Sequence, residues 1–595
     1  MFVIALQVAA APQTTSAVSY TVSLAGAADH LVHVRMKLAP GAAERQVQLP
    51  VWNATYQVRD FAQYVRVVKA NDAAGQPLPV RKLDKSTWQI SGASAGAEVE
   101  YDIVADVRGP FGAQLNTEHA FFNLAEILMY PLGGKGAAMT VTFADFPPEW
   151  KIATALPAAE GQAATFRARN YDHLVDSPVE MGTFQEKDFQ EGGATYRLIV
   201  HGNPADYDLD AIAQSVQKIV AAEVDWMQDR PFEQYTFFYH FPRGPAGGGM
   251  EHAYSTAIDV SADSLRRGLA GLEGVTAHEF FHLWNVKRIR PASLEPVDYT
   301  KENYTRALWF SEGVDSAVTQ YALLKAGLLD EKRFAEHFAG QIRELQRRPA
   351  HLTQSAEESS LDAWLEKYSA YNQPQRSVNY YNKGELLGFL LDLAMRQASN
   401  DRASLRDLFQ WMNQHYARQG RFFPDSAGVQ EAAEAVSGAK LGWFFQKYVA
   451  GTEELPYDEL LQTVGWRVER KKVNVAALGF GLAFAGEGAV VASLDAGSEA
   501  QRAGLREGDI VVSINDQPAV GRTSRGALAE LKPGDALKVK IRRADGEREL
   551  HFPAGSREEE RFAIVDLDNV TPEQRARRTL WLASQDAPAA KAAVK

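Results

Sequence analysis

The chain has 595 residues, 46% hydrophobic and 23% charged, a composition ordinary for a soluble globular protein but a length too great for one core. Its net charge of −12, from 63 basic and 75 acidic residues, argues against a general nucleic-acid binder. The absence of cysteine excludes disulfides, thiolate metal sites and a cysteine nucleophile, so any metal must be held by His, Asp and Glu.

Residues 1–17, MFVIALQVAAAPQTTSA, combine a short apolar stretch with small residues of cleavage-site type but carry no basic segment. They read as a signal remnant or tail, and a periplasmic or exported location is expected, with the cytoplasm as the alternative. No apolar run approaches the roughly 20 residues that span a bilayer, so no stable membrane insertion is expected. Residues 18–200 alternate apolar and polar positions in runs such as VSYTVSL, HLVHVRMKL and AAMTVTF, which predicts an N-terminal β-rich domain, a sandwich or saddle.

Residues 201–460 change texture. DLDAIAQSVQKIVAAEVDWM has helical spacing, YTFFYHF and AYSTAIDV read as strands, and RGPAGGGMEH between them is a glycine-rich loop. A helix carrying VTAHEFFHLWNVKRIRP follows, and from Arg306 to about Val449 the pattern is amphipathic helix throughout. A separate module is expected over 465–556, including a helix at SRGALAELKPG, and 557–595 reads as a C-terminal tail that frays. The fold class is thus multidomain α+β.

His278 and His282 lie four residues apart, on one face of a helix, so both can point at one ion. Glu279 is rotated by about 100° from His278 and can hold a water beside that ion and take its proton. Zinc is favoured by two histidines, one carboxylate and hydrolytic chemistry. Glu312, in LWFSEGVDSAVTQY, is the candidate third ligand, and the prolines of the intervening segment let a second helix return beside the first. Asp315 shares the Glu312 face and could orient a ligand histidine. Lys287, Arg288 and Arg290 read most simply as a solvated, dipole-complementing helix end.

HExxH followed by a distant glutamate in a W-x-x-E-G context resembles the gluzincins, the thermolysin and aminopeptidase N superfamily. GGGMEH, Gly247 to His252, resembles the G-x-M-E-N loop of zinc aminopeptidases, which implies a substrate-binding role for Gly248, Gly249, Met250, Glu251 and His252, with Glu251 on the free amino group. YNKG, Tyr381 to Gly384, resembles their Y-x-K-G motif, which implies that Tyr381 stabilises the oxyanion; its neighbour Tyr380 is the competing phenol, since only one of two adjacent helical residues can face the metal. WNVKRIRP, the long gap to Glu312 and the C-terminal module look like the bacterial glycyl aminopeptidase family, PDZ-containing gluzincins. That resemblance runs from about Val18 to Gly555 and implies a thermolysin-like domain with a helical lobe.

In the C-terminal module, Phe480, Gly481 and Leu482 match a PDZ carboxylate-binding loop, and AGLREGDIVVSIND matches the core that follows. A glycine-rich turn entering an apolar strand exposes N–H groups to a peptide's C-terminal carboxylate, although such a module can also serve only to dock internally.

The sequence therefore points to a zinc-dependent aminopeptidase with one zinc ion, and the family resemblance implies that the residues it removes from peptides are small, Gly or Ala. A PDZ-assisted endopeptidase is the alternative, and a non-catalytic peptide-binding protein a more distant one.

Overall fold

The computed structural model describes residues 18–485, 488–519 and 531–585. The signal-like segment 1–17, residues 586–595 and positions 524–530 of the helix expected at SRGALAELKPG lie outside the described residues. Contacts divide the chain into two compact units, Met1–Trp466 with Asp566–Lys595, and Arg467–Val565.

In the first unit the alternation of the N-terminal region becomes strands with one buried face. Along Val18–Gly26, for instance, Val18, Tyr20, Val22 and Leu24 turn inward. Three sheets of seven, four and four strands share one apolar core. The segment 185–202 does not belong to them. Gln185–Glu191 and Ala194–Gly202 form a hairpin that joins a separate, five-stranded sheet with Gln234–Phe241, Ser255–Val260 and the edge strand Gly247–Glu251. The expected boundary at residue 200 thus falls inside a strand, because alternation reports a strand without saying which sheet it enters.

Helices cover this central sheet and build the lobe beyond it. Leu209–Met227 begins at Asp208, whose side chain accepts from the N–H groups of Asp210 and Ala211, and buries Ile212, Val216, Ile219, Val220 and Trp226. The helix Ala270–Phe281 carries the histidine motif. Tyr380–Ser399, capped by Asn379, is buried along nearly its whole length and forms the axis of the lobe. Among the described residues, no helix is long and apolar enough to cross a membrane.

The second unit has a sheet of Phe480–Ala485, Gly488–Leu494, Ile510–Ile514, Ala536–Arg543 and Gly546–Pro553, with Gln517–Pro518 at its side. Phe480–Ala485 lies at its edge. Phe480 is in the core, Gly481 lies so close to Ser493 Oγ that a Cβ would sit 2.5 Å from it, and the ladder slips between Gly481 and Leu482.

The segment read as a fraying tail is folded as far as residue 585. Gly555–Asp566 pairs with Trp466–Ala477, and Pro572–Leu582 is a helix opened by a capping box of Thr571 and Gln574. Trp581, fully buried, donates to the Tyr321 hydroxyl at 2.7 Å and packs edge-on against Phe334 and Trp466. One tryptophan anchors a helix whose other residues are mostly polar, so the sequence pattern around it is weak. Trp581→Ala is expected to destabilise the first unit by about 3–5 kcal/mol, measurable by denaturant unfolding; wild-type stability would mean that the helix is not docked.

Candidate metal centre and active site

The histidine helix packs on the central sheet through Phe280, which meets Tyr196, Phe232, Tyr235 and Phe237. His278 lies within the helix and His282 caps it. The helix therefore ends well before Pro291: the chain turns at once, with Lys287 N bonding back to His282 O and Val286 at φ 91°. Glu312 lies in a short π-helix, Trp309–Val314, leading into the helix Asp315–Lys325. Such wide turns occur often at functional sites, and the sequence pattern carried no sign of this one.

Two glycines bring that π-turn against the Tyr380–Ser399 helix. A Cβ on Gly384 would lie 2.2 Å from Trp309 O, and one on Gly313 would lie 2.5 Å from Gly384 Cα. One turn further on, a Cβ on Gly388 would be 2.9 Å from that of Ala317. The crossing is backbone on backbone, and it sets Glu312 and Tyr381 on the same cavity.

His278 Nε2, His282 Nε2 and Glu312 Oε2 form a triangle with sides of 3.1, 3.5 and 3.2 Å. Tetrahedral bonds of about 2.0–2.2 Å hold donors about 3.3–3.6 Å apart, so these three residues fit a zinc ion with little movement. The opposite ring nitrogens are also engaged. His278 Nδ1 lies 3.2 Å from Asp315 Oδ2, His282 Nδ1 lies 3.5 Å from Asp315 Oδ1, and His282 Nδ1 is 2.9 Å from Asn285 O. Asp315 thus backs both rings rather than joining the triangle, and a donor N–H on that side leaves each Nε2 lone pair for an ion. Asn285 in turn donates to the π-turn carbonyls of Phe310 and Ser311 at 3.2 Å.

A cavity of about 380 Å³ opens over the triangle. Glu279, 6% exposed, faces it from the helix, and its carboxyl is packed on the Cα of Gly249: a Cβ there would sit 2.3 Å from Glu279 Cγ. Burial pushes the Glu279 carboxyl up to about 7, against the pull of His278 and His282. Tyr381, 36% exposed, lines the cavity with its ring centroid 6.0 Å from that of His278. Burial, then Glu312, hold its phenol well above the ordinary value, so it stays a donor. Tyr380 instead packs inward against Leu308 and Ala363.

Glu251 and Met250 line the cavity, at the end of the edge strand. Gly248 and His252, expected on substrate, do not. Gly248, at φ 112°, lies against Phe111 and Pro110, and His252 is fully buried with Nδ1 3.3 Å from Asp176 Oδ1. Gly248 is held toward the N-terminal region, and His252, just past the end of the strand, is turned into the interior. The basic cluster is not solvated either. Lys287 Nζ bridges Asp176 at 3.0 Å and Glu251 at 3.6 Å, Arg288 donates to Leu283 O, and Arg290 pairs with Glu295 at 2.5 Å. Asp176 and the cavity-lining Trp52 and Tyr56 come from the N-terminal region, where no local pattern marked them. Tyr56, at φ 48°, meets Trp364 edge-on.

Three family models match the chain: the Peptidase M61 N-terminal domain over 19–183, the M61 glycyl aminopeptidase over 272–387 and the PDZ domain over 476–552. The second spans the triangle, Glu279 and Tyr381. The chain carries the N-terminal and peptidase domains of the M61 glycyl aminopeptidases. This M61 protein is a zinc metallopeptidase with a PDZ domain. A solved aminopeptidase N family protein from Idiomarina loihiensis aligns over 95% of this chain and 100% of its own, with 26% identity and a TM-score of 0.82. An M1 zinc metallopeptidase from Deinococcus radiodurans aligns over 74% of this chain and 94% of its own, with 15% identity and a TM-score of 0.47. No functionally curated protein matches.

The glycine crossing gives a direct check. Gly384→Ala is expected to cost about 1–3 kcal/mol through overpacking and to lower activity by displacing Glu312 and Tyr381; unchanged melting and turnover would show that the helices are not this close.

Proposed function

We propose that this M61 enzyme removes single N-terminal residues, glycine or alanine by family resemblance, from peptides, with one zinc ion in the triangle of His278, His282 and Glu312. The observation that carries the exopeptidase reading is the charge balance beside the triangle. Asp176 and Glu251, both carboxylates, share one ammonium, Lys287, which leaves a negative charge for a peptide's α-ammonium in a cavity of about 380 Å³. The edge strand Gly247–Glu251 offers its free side to the peptide main chain, and its glycines let that chain approach Glu279.

Zinc bound in the triangle supplies a Lewis acid that lowers the pKa of water and polarises a carbonyl. With that charge alongside, the carboxylate form of Glu279 is favoured. Glu279 accepts the proton of the attacking water and hands it to the departing amine, keeping the base within one carboxyl's reach of both. Tyr381, protonated at working pH, donates to the oxyanion as the carbonyl becomes tetrahedral. Glu251 holds the free amine, which fixes the first peptide bond as the one that reacts. Asp315 keeps both histidine rings aimed.

The competing reading, an endopeptidase to which the PDZ domain delivers substrates, has no use for an amine anchor. In the PDZ domain the open edge of Phe480–Ala485 suits addition of a peptide strand, with its C-terminal carboxylate at the turn before Gly481. Export to the periplasm completes the reading and is checked by cell fractionation.

A zinc-loaded sample offered one Gly- or Ala-led peptide, free and N-acetylated, is expected to release only the first residue and only from the free peptide. Internal cleavage of both would favour the endopeptidase. Glu251→Gln should raise KM for free peptides. Glu279→Gln should retain the metal and lose about 10²–10⁴-fold in kcat; unchanged hydrolysis would remove Glu279 as the base. Asp315→Ala should weaken metal affinity about 10–100-fold, read by competition with a chelating dye.

A further inference from the structure

Away from the cleft, five ionisable side chains meet where the N-terminal region packs on the central sheet. His201, His240 and Asp259 are register partners on three adjacent parallel strands, close to the C-terminal ends of those strands. His119 and Glu180 come from the antiparallel pair His119–Phe122 and Val179–Gly182 of the N-terminal region. Glu180, 1% exposed, is the hub. Its Oε1 lies 3.1 Å from His119 Nδ1 and 3.9 Å from His201 Nδ1, and its Oε2 lies 3.1 Å from His240 Nε2. His240 Nδ1 is 2.9 Å from Asp259 Oδ1. His119, His201, His240 and Asp259 form part of the wall of a second cavity, of about 900 Å³.

The geometry fixes the charges. With a carboxylate at each ring nitrogen, His240 donates on both sides and is an imidazolium. The rings of His119 and His201 stack face to face, with centroids 3.7 Å apart and planes 8° from parallel, an arrangement that two cations would not hold. The cluster therefore contains two carboxylates, one imidazolium and a stacked pair that is not doubly charged, so it carries no net positive charge and keeps at least one neutral nitrogen donor beside Glu180. Of the two arginines on the cavity wall, Arg243 is engaged by Asp206 and Arg108 is exposed.

We propose that His119, Glu180 and His201 form a second metal site, for a divalent first-row transition ion, distinct from the catalytic triangle. Two imidazoles and one carboxylate are donors for Zn²⁺, Mn²⁺ or Fe²⁺ rather than Ca²⁺. Their ligand atoms already lie within 4.8 Å of one another. Coordination requires the stacked rings to splay so that each nitrogen faces the ion, and the His201 side chain, 30% exposed, has room to turn. The cavity supplies water for the remaining positions. An ion held there would tie Glu180 and His119 to His201 and so clamp the N-terminal region to the sheet. It would also brace Asp259, the register partner of Gly248 on the strand that carries Gly249 and Glu251.

The test uses the full-length chain, equilibrated with Zn²⁺ and freed of loose metal by gel filtration, with metal counted by mass spectrometry. Two ions per wild-type chain are expected, one in His278→Ala, and one in His201→Phe, which keeps a ring on His119 but removes the donor. His201→Asn serves as a second donor-free variant, and whichever of the two folds by circular dichroism decides. Zn²⁺ added to metal-free His278→Ala should raise its melting temperature by several degrees, and the His278→Ala/His201→Phe double variant should not respond. One ion in wild type and none in His278→Ala, or the same melting response with and without His201, would overturn the second site while leaving the peptidase assignment standing.

Discussion

The catalytic geometry rests on a place where side chains are missing. Gly313 and Gly384 let a π-turn and a buried helix touch through their backbones, and Gly388 against Ala317 continues the contact for another turn. Methyl groups at the two glycines would force the elements apart by an ångström or more, since ordinary contacts need about 3.5–4 Å. Glu312 rides on one of these elements and Tyr381 on the other, so their separation is set by close packing rather than by flexible side chains. Sites held by rigid secondary structure keep the sub-ångström placement that hydrolysis requires.

Around that crossing the charges are arranged in two layers. The inner layer, His278, His282 and Glu312, turns its donor atoms toward one point. The outer layer turns the other way, with Asp315 behind both imidazoles and Asn285 tying the histidine turn to the π-helix carbonyls. Farther out, Lys287 is shared between Asp176 and Glu251, and this joins a loop of the N-terminal region to the strand beside Glu279. Few of these polar groups stand alone, as low-dielectric surroundings demand.

His278, Glu279, His282 and Glu312 were legible as a group because helical spacing and a carboxylate in a distinctive local setting are one-dimensional signals. The glycines of GGGM and YNKG were legible as motif letters, but their reasons were not. That Glu279 lies on Gly249, or that Gly384 touches Trp309 O, depends on contacts between distant segments. Asp176, Trp52 and Tyr56 were invisible for the same reason, coming from a region whose pattern speaks only of strands. Gly248 and His252 were assigned to substrate by their place in a motif, but contacts with Phe111 and Asp176, distant in the sequence, hold them away from the cavity. The basic run after His282 looked solvated because sequence does not show which acids will fold against it.

The route of the chain around the PDZ domain has a consequence of its own. That domain was expected near the C-terminus, followed only by a loose end, yet Asp566–Gln585 returns to the first unit and seats Trp581 in its core. Topologically the module is an excursion, leaving by Trp466–Ala477 and coming home by Gly555–Asp566, strands that run side by side. Its loss by splicing between those strands would therefore leave the peptidase whole, whereas simple truncation ahead of it would strip away an internal support. A proteolytic nick in the excursion would likewise free no fragment, because both cut halves stay rooted in folded structure.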